Sequence, residues 1–238
     1  MTASQHTIAG TVLTMPVRIR QATQHMAMFS VDADAAQQLI DYSGLRVCRY
    51  LPGRAVVVLM LMHYIDGDLG QYYEWGTSVM VNPPGSSASG PRALQSAGAF
   101  IHHLPVDQEF TLEAGTKIWG YPKVMADFTV REDRQFGFEC RVDGQLVIGM
   151  DFARGLPFRL APRHQEQRSY SHRDGVTRET PFEFTLDGVR TRFGGVRVRL
   201  GDHPYAKELA SLGLPKRAMV SSSADHVQMT FGDAKEIS

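Results

Sequence analysis

The sequence predicts an α+β domain built on an antiparallel sheet, and three observations carry that prediction. Apolar runs with strand character outnumber those with helical spacing. Short turn-forming stretches such as Pro52-Gly53, Glu132-Asp133-Arg134 and Asp143-Gly144 separate them. Only two segments, one after Val31 and one after Asp202, show the recurrence of a helix.

Taken in order, His6 to Arg20 alternates loosely around Pro16 and reads as an irregular lead-in. Gln24 to Val31 follows as a strand. Asp32 or Asp34 can cap a helix whose apolar positions are Ala35, Ala36, Leu39 and Ile40, ended by Ser43-Gly44. Ala55 to Tyr64 is nearly continuous Val, Leu and Met, the signature of a strand buried on both faces. Gln71 to Val81 is a strand that stops at the Pro-, Gly- and Ser-rich loop 82–91, expected to be a mobile cover or a subunit contact. Ala99 to Leu104, Asp127 to Arg131, Phe136 to Val142 and Leu146 to Phe152 are further strands. The chain is polar from Ala161 to Gly175. Phe182 to Thr191 and Val196 to Leu200 are expected to form a hairpin across Phe193-Gly194-Gly195, with Arg190, Arg192, Arg197 and Arg199 as a basic stripe. His203 to Leu212 is a short helix, and Met219 to Phe231 the last strand.

At 238 residues the chain is read as a single domain over 1–238, able to bury a substantial core. Lys plus Arg balance Asp plus Glu at 25 each, so no charge field points to nucleic acid or an anionic membrane. Cys48 and Cys140 stand alone, without a metal-ligand spacing, which fits a reduced cytoplasmic setting. Met1 to Gly10 lacks the basic start and apolar run of a signal peptide, and no apolar stretch approaches the roughly 20 residues that span a bilayer. His102-His103 raises the question of a metal site. Neighbours in a strand point to opposite faces, so no metal is expected there.

The chemistry-bearing stretch is Gly115 to Phe128, which sets Lys123 directly after Pro122 among Trp119, Tyr121 and Met125. An ordinary surface lysine is protonated and a poor nucleophile. Taking an ammonium out of water disfavours its charged form, and a free amine condenses with carbonyls to give a Schiff base. The plain alternative is a solvated lysine reaching past its aromatic neighbours. Lys117 is the competing lysine, and spacing alone does not choose between the two. Glu74 lies between Tyr73 and Trp75, costly company for a carboxylate unless it is paired or protonated.

The run Gly115 to Lys123, with a Tyr-Pro pair before the lysine, resembles the Schiff-base lysine segment of the acetoacetate decarboxylase family. Gly70 to Glu74 is similar to that family's tyrosine and catalytic glutamate segment, and Met219 to Ser223 to its C-terminal strand. The resemblance covers most of the chain and implies a cone-like antiparallel β-barrel with a few flanking helices. It implies Lys123 and Glu74 as catalytic residues, no cofactor, a small keto acid as substrate, and a homo-oligomer. Tyr121, Tyr73, His102 and Trp119 are the expected pocket residues. Three positions depart from the family's pattern. Val124 stands where a second lysine is expected, and Val58 where a second carboxylate is. The family's arginine falls near Ala22, with Arg18 and Arg20 the nearest guanidiniums. The implied reaction is decarboxylation through a lysine imine. Aldol or dehydration chemistry through the same imine, or a barrel that binds an apolar small molecule without turning it over, are the alternatives.

Overall fold

The computed structural model describes residues 4–133, 135–157 and 164–237. It opens with a small hairpin, β1 (Gln5–Ile8) and β2 (Thr11–Thr14), and the long strand β3 (Val17–Asp32). The side chain of Asp32 accepts from the backbone N–H groups of Asp34 and Ala35, capping α1 (Ala33–Ile40). A single 3₁₀ turn then ends at Gly44, in the left-handed region. β4 (Arg54–Gly67), β5 (Tyr72–Val81) and β6 (Gly98–Val106) follow as an antiparallel meander.

Next comes a helix that strand patterning did not suggest, α2 (Glu109–Trp119). The Gln108 side chain caps its start, and Gly120, at φ 64°, closes its end. The chain continues through β7 (Lys123–Met125), β8 (Asp127–Arg131), β9 (Phe136–Val142), β10 (Gln145–Phe152) and β11 (Leu156–Pro157). It ends with β12 (His164–Arg173), β13 (Val176–Asp187), β14 (Arg190–Phe193), β15 (Val196–Leu200), α3 (Pro204–Ser211), β16 (Val220–Phe231) and β17 (Lys235–Glu236). The polar stretch expected from Ala161 lies outside the described residues up to 163, as does Arg134 of the expected turn; from His164 onward that stretch is strand β12.

The largest sheet closes on itself through seven strands, in the order β16-β3-β4-β5-β6-β12-β13 and back to β16. All of these pairings are antiparallel except β6 with β12. A four-stranded sheet, β15-β10-β9-β8, covers one side of the barrel. The principal core lies where outward-facing residues of β3–β5, such as Phe29, Leu59 and Trp75, meet Phe138, Ile148 and Met150 of that second sheet. β4 is therefore apolar on both faces because one face lines the barrel and the other this core.

Two expectations fail here. The arms around Phe193-Gly194-Gly195 do not pair with each other: β14 joins β16 in the barrel sheet, and β15 joins β10 in the covering sheet. The two glycines, both at positive φ, make a crossing between sheets. The four arginines are accordingly split between two sheets and form no stripe, and Arg199 is tied to Asp151 and Glu139. The lead-in is also more regular than its sequence suggests, since β3 begins at Val17. Among the described residues no helix is long and apolar enough to cross a membrane.

Phe29 is fully buried between the two sheets, so Phe29→Ala should lower the unfolding free energy by about 3–5 kcal/mol in urea titrations. His25 projects from the same outer face and stacks on Phe136 with ring centroids 3.4 Å apart. Burial pulls its titration down from 6.5 to about 4, so between those values the unfolded chain binds the extra proton and the folded one does not. Stability should therefore fall as pH drops through that window. His25→Phe should reduce the drop, as read from denaturation midpoints at pH 7 and pH 4.5.

Candidate active site

The barrel lumen forms a cavity of about 380 Å³. Strand alternation decides what reaches it. From β5, Tyr72, Glu74, Gly76, Ser78 and Met80 face inward, while Tyr73 and Trp75 face the principal core. β7 runs parallel to β6, pairing Lys123 with Leu104, and directs Lys123 into the same space.

The Lys123 side chain is 3% exposed and that of Glu74 9%, with Nζ 2.8 Å from Oε2. Nζ also donates to Thr111 Oγ1 at 2.8 Å and lies 5.2 Å from the centre of the Tyr72 ring. The other carboxylate oxygen of Glu74 accepts from the Tyr64 hydroxyl at 2.9 Å. Burial, followed by the nearby Glu74 charge, pushes the Tyr64 and Tyr72 phenols well above their ordinary range. Both therefore remain protonated, and Tyr64 stays a hydrogen-bond donor. Burial likewise raises Tyr121 to about 12, and its hydroxyl pairs with Ser169 Oγ at 2.7 Å.

Helix α2 makes room for this pair. Thr111 and Gly115 are four residues apart and share one buried helix face. A Cβ at Gly115 would sit 2.5 Å from Lys123 Cε and 2.6 Å from Cδ, so the lysine stem runs through the space the missing side chain leaves. Lys117 lies on the exposed side of the same helix, held by Glu113 at 2.6 Å. The helix removes the strand register in which the two lysines would have shared a face.

Among the expected pocket residues, Tyr121 and Trp119 line the lumen, and the Trp119 indole donates to the Gly232 carbonyl at 2.8 Å. Tyr73 does not; it stacks on His63 on the outer face, since it alternates with the inward Glu74. Arg18 and Arg20 also point outward, alternating with the buried Val17 and Ile19, and Arg20 is held by Asp66 and Asp68 at 2.8 and 2.7 Å. The position aligned with the family's arginine, Ala22, is buried, and the lumen-facing residues of β3 are Gln24, Met26 and Met28. Val58 lines the lumen, whereas Val124 turns into the principal core.

His102 lies outside the barrel, and the premise of opposite faces fails for it. The β5–β6 ladder pairs Thr77 with His103 and Ser78 with Ile101, leaving His102 as the extra residue of a bulge. Both imidazoles consequently face α3, with their Nε2 atoms 2.9 and 2.8 Å from Glu208 Oε2. The Tyr42 hydroxyl meets His102 Nδ1 at 2.9 Å. These three residues bring ligand-type atoms within 4.8 Å of one another and so have the donor types of a metal site, as does the exposed trio His164, Glu166 and Glu183. As it stands, the first trio is a clamp between α3 and the barrel.

Tyr64 and Thr111, which hold the carboxylate and the amine, were not singled out from the sequence. Tyr64 continues the period-two series Val58, Met60, Met62 on β4, and Thr111 stands one helical turn before Gly115. Tyr64 is readable from that alternation once Glu74 is taken as inward, whereas Thr111 is not, because its helix escapes the sequence pattern.

A closed barrel that holds a buried lysine–glutamate pair in an apolar lumen is the feature that sets the class of this protein. The chain belongs to the acetoacetate decarboxylase family, whose pattern it matches over residues 5–235. Among solved structures, an acetoacetate decarboxylase from Legionella pneumophila subsp. pneumophila str. Philadelphia 1 superposes with a TM-score of 0.67 at 18% identity, covering 94% of this chain and 87% of its own. The enduracididine biosynthesis enzyme MppR, complexed with pyruvate, gives 0.65 at 16% identity over 95% and 92%. An acetoacetate decarboxylase-like enzyme from Sphingomonas wittichii RW1 gives 0.58 at 15% identity over 100% of both chains. At these identities the likeness is one of fold. No curated protein matches the sequence.

Because Gly115 vacates the path of the lysine stem, Gly115→Ala should displace Nζ from Glu74 while leaving the barrel folded. The expected result is unchanged far-UV circular dichroism with at least about a tenfold slower reaction of Lys123 with a carbonyl reagent, since misplacing a reacting group by about 1 Å can cost 10²-fold.

Proposed function

We propose that the protein is a Schiff-base enzyme in which Lys123 condenses with the ketone of a keto acid and Glu74 moves the protons. The observation that carries this reading is the buried Nζ–Oε2 contact of 2.8 Å, with Thr111 as a second fixed partner of the amine. When the shared proton rests on Oε2, the Nζ lone pair is free to attack the carbonyl carbon. The resulting carbinolamine loses water, with Glu74 supplying the proton to the departing hydroxyl, and leaves a protonated imine. The imine withdraws electrons from the adjacent carbon. In a β-keto acid the carbon–carboxylate bond then breaks, carbon dioxide leaves, and its bonding pair forms an enamine. Glu74, left as a carboxylate by the dehydration, takes up the one proton that decarboxylation consumes from solvent and passes it to the enamine carbon, and hydrolysis of the imine returns the free lysine.

One observation supports a second reading of the same imine. Among the described residues no arginine lines the lumen, and Val58 occupies the place of a second carboxylate, so the groups expected to handle a substrate carboxylate are altered. Aldol condensation, retro-aldol cleavage or dehydration needs the same electron sink without release of carbon dioxide. The enzyme MppR is complexed with pyruvate in one solved structure and with the condensation product of pyruvate and imidazole 4-carboxaldehyde in another.

Borohydride reduction in the presence of a panel of keto acids, followed by peptide mass mapping, should place a secondary-amine adduct on Lys123. Lys123→Ala should abolish both adduct and turnover, and Glu74→Gln should slow turnover by about 10²–10⁴-fold, the usual contribution of a positioned acid–base group. Absence of an adduct at Lys123 with every keto acid tried would overturn the assignment. Carbon dioxide release separates decarboxylation from the second reading.

A further inference from the structure

The lumen is much larger and less polar than a four-carbon keto acid requires. Its two ionisable acid–base residues of opposite charge, Lys123 and Glu74, face each other at 2.8 Å, and among the described residues the remaining polar lining consists of neutral amides, hydroxyls and the Trp119 indole. Ladder register shows how the space continues past this pair. One step beyond Glu74 the inward row is Gly76, Met60 and Met26; a second step reaches Ser78, Val58 and Met28. Two such steps make a wall about 13 Å long, at roughly 3.3 Å per strand residue. Gly76 adds width, since the nearest atom a Cβ there would meet is Leu104 Cδ1 at 3.4 Å.

An isolated carboxylate on this wall would be buried without a partner, which is strongly unfavourable. An alkyl chain loses nothing there and gains with each methylene buried. Methionine suits such a tail, because its unbranched thioether has three rotatable bonds and repacks around chains of different length.

We infer that the substrate is a ketone carrying an extended, uncharged apolar chain: the carbonyl sits at Lys123 and the chain lies along the methionine-lined wall formed by β3, β4 and β5. The orientation of the carbonyl rests on the Schiff-base reading above; occupation of the wall by an apolar chain does not. A 3-oxo acid with a long acyl chain and a long-chain methyl ketone share this chemistry.

Calorimetric titration with methyl ketones of increasing chain length tests the wall directly. Affinity should rise about three- to fourfold per added methylene until the wall is filled, and then level off. Val58→Phe and, as a second plug in case the first variant folds poorly, Met28→Phe should move the plateau to shorter chains. Long-chain 3-oxo acids should be trapped by borohydride at Lys123 more efficiently than acetoacetate or pyruvate, and released carbon dioxide distinguishes an acid substrate from a ketone ligand. Flat affinity across the series, or stronger trapping of the short keto acids, would overturn this inference while leaving the role of Lys123 intact. Chain-length-dependent binding that persists in Lys123→Ala, together with no adduct in the native protein, would sustain the inference and remove the Schiff-base reading instead.

Discussion

The contact between Lys123 and Glu74 is the constraint on which the rest of the structure depends. Taking two ions out of water costs several kcal/mol each even after relaxation, and their mutual attraction repays this only when the remaining donors and acceptors are also satisfied. Here each partner has one further ligand: Thr111 for the amine and Tyr64 for the carboxylate. These partners come from β4, β5, α2 and β7, so the pair holds its geometry only if the barrel closes and the helix docks. A site of this kind is a product of the whole fold and cannot be carried by a loop.

Closing the barrel creates a second requirement. β3, β4 and β5 each present one face to the lumen and one to the principal core, and the two faces do different work. The outer face packs Phe29, Leu59 and Trp75 against the covering sheet and supplies cohesion. The inner face is kept open, lined by flexible methionines in place of the interlocking branched side chains that would fill it. The four-stranded sheet therefore provides packing that the lumen gives up, and the long apolar strand Ala55 to Tyr64 is the meeting point of the two environments.

Much of this was legible in the sequence, for physical reasons that differ by element. The cap, at Asp32 of the two candidates Asp32 and Asp34, and the doubly apolar β4 follow from local pattern, whereas the inward Glu74 and the buried Lys123 follow from the family resemblance, since local composition by itself favours a solvated lysine. What escaped is what pairing decides. The helix α2 holds Gly115 and two threonines, which weaken its helical signal, yet its ends are defined by Gln108 and Gly120. The bulge at His102 inverts which residues of β6 share a face, and no pattern within β6 alone announces it. The glycines at 194–195 look like a hairpin turn because a crossing between sheets needs the same positive φ values. Arg18 and Arg20 were placed by sequence proximity to a family position, while the alternation of Val17 and Ile19 already pointed them outward.

The distribution of charge sharpens the functional argument. The chain has no net charge, and the guanidiniums nearest the expected carboxylate-binding position are on the outside, Arg20 being neutralised by Asp66 and Asp68. Inside, the carboxylate of Glu74 is already engaged by Lys123 and Tyr64. Among the described residues an anionic group brought into the lumen therefore finds one cation, Lys123, which on the proposed mechanism is the amine that must become neutral to react. A carboxylate next to the reacting carbonyl would compete with Glu74 for the same ammonium, and once the imine forms it would face the iminium charge directly with little water to screen it. The same apolar wall that makes a charged group costly in the ground state favours any step that disperses the charge, loss of carbon dioxide among them. On the proposed reading, selection for an uncharged tail and activation of a carboxylate beside the carbonyl would both follow from a single property: among the described residues, the charge in the lumen is confined to the Lys123–Glu74 pair at its reacting end.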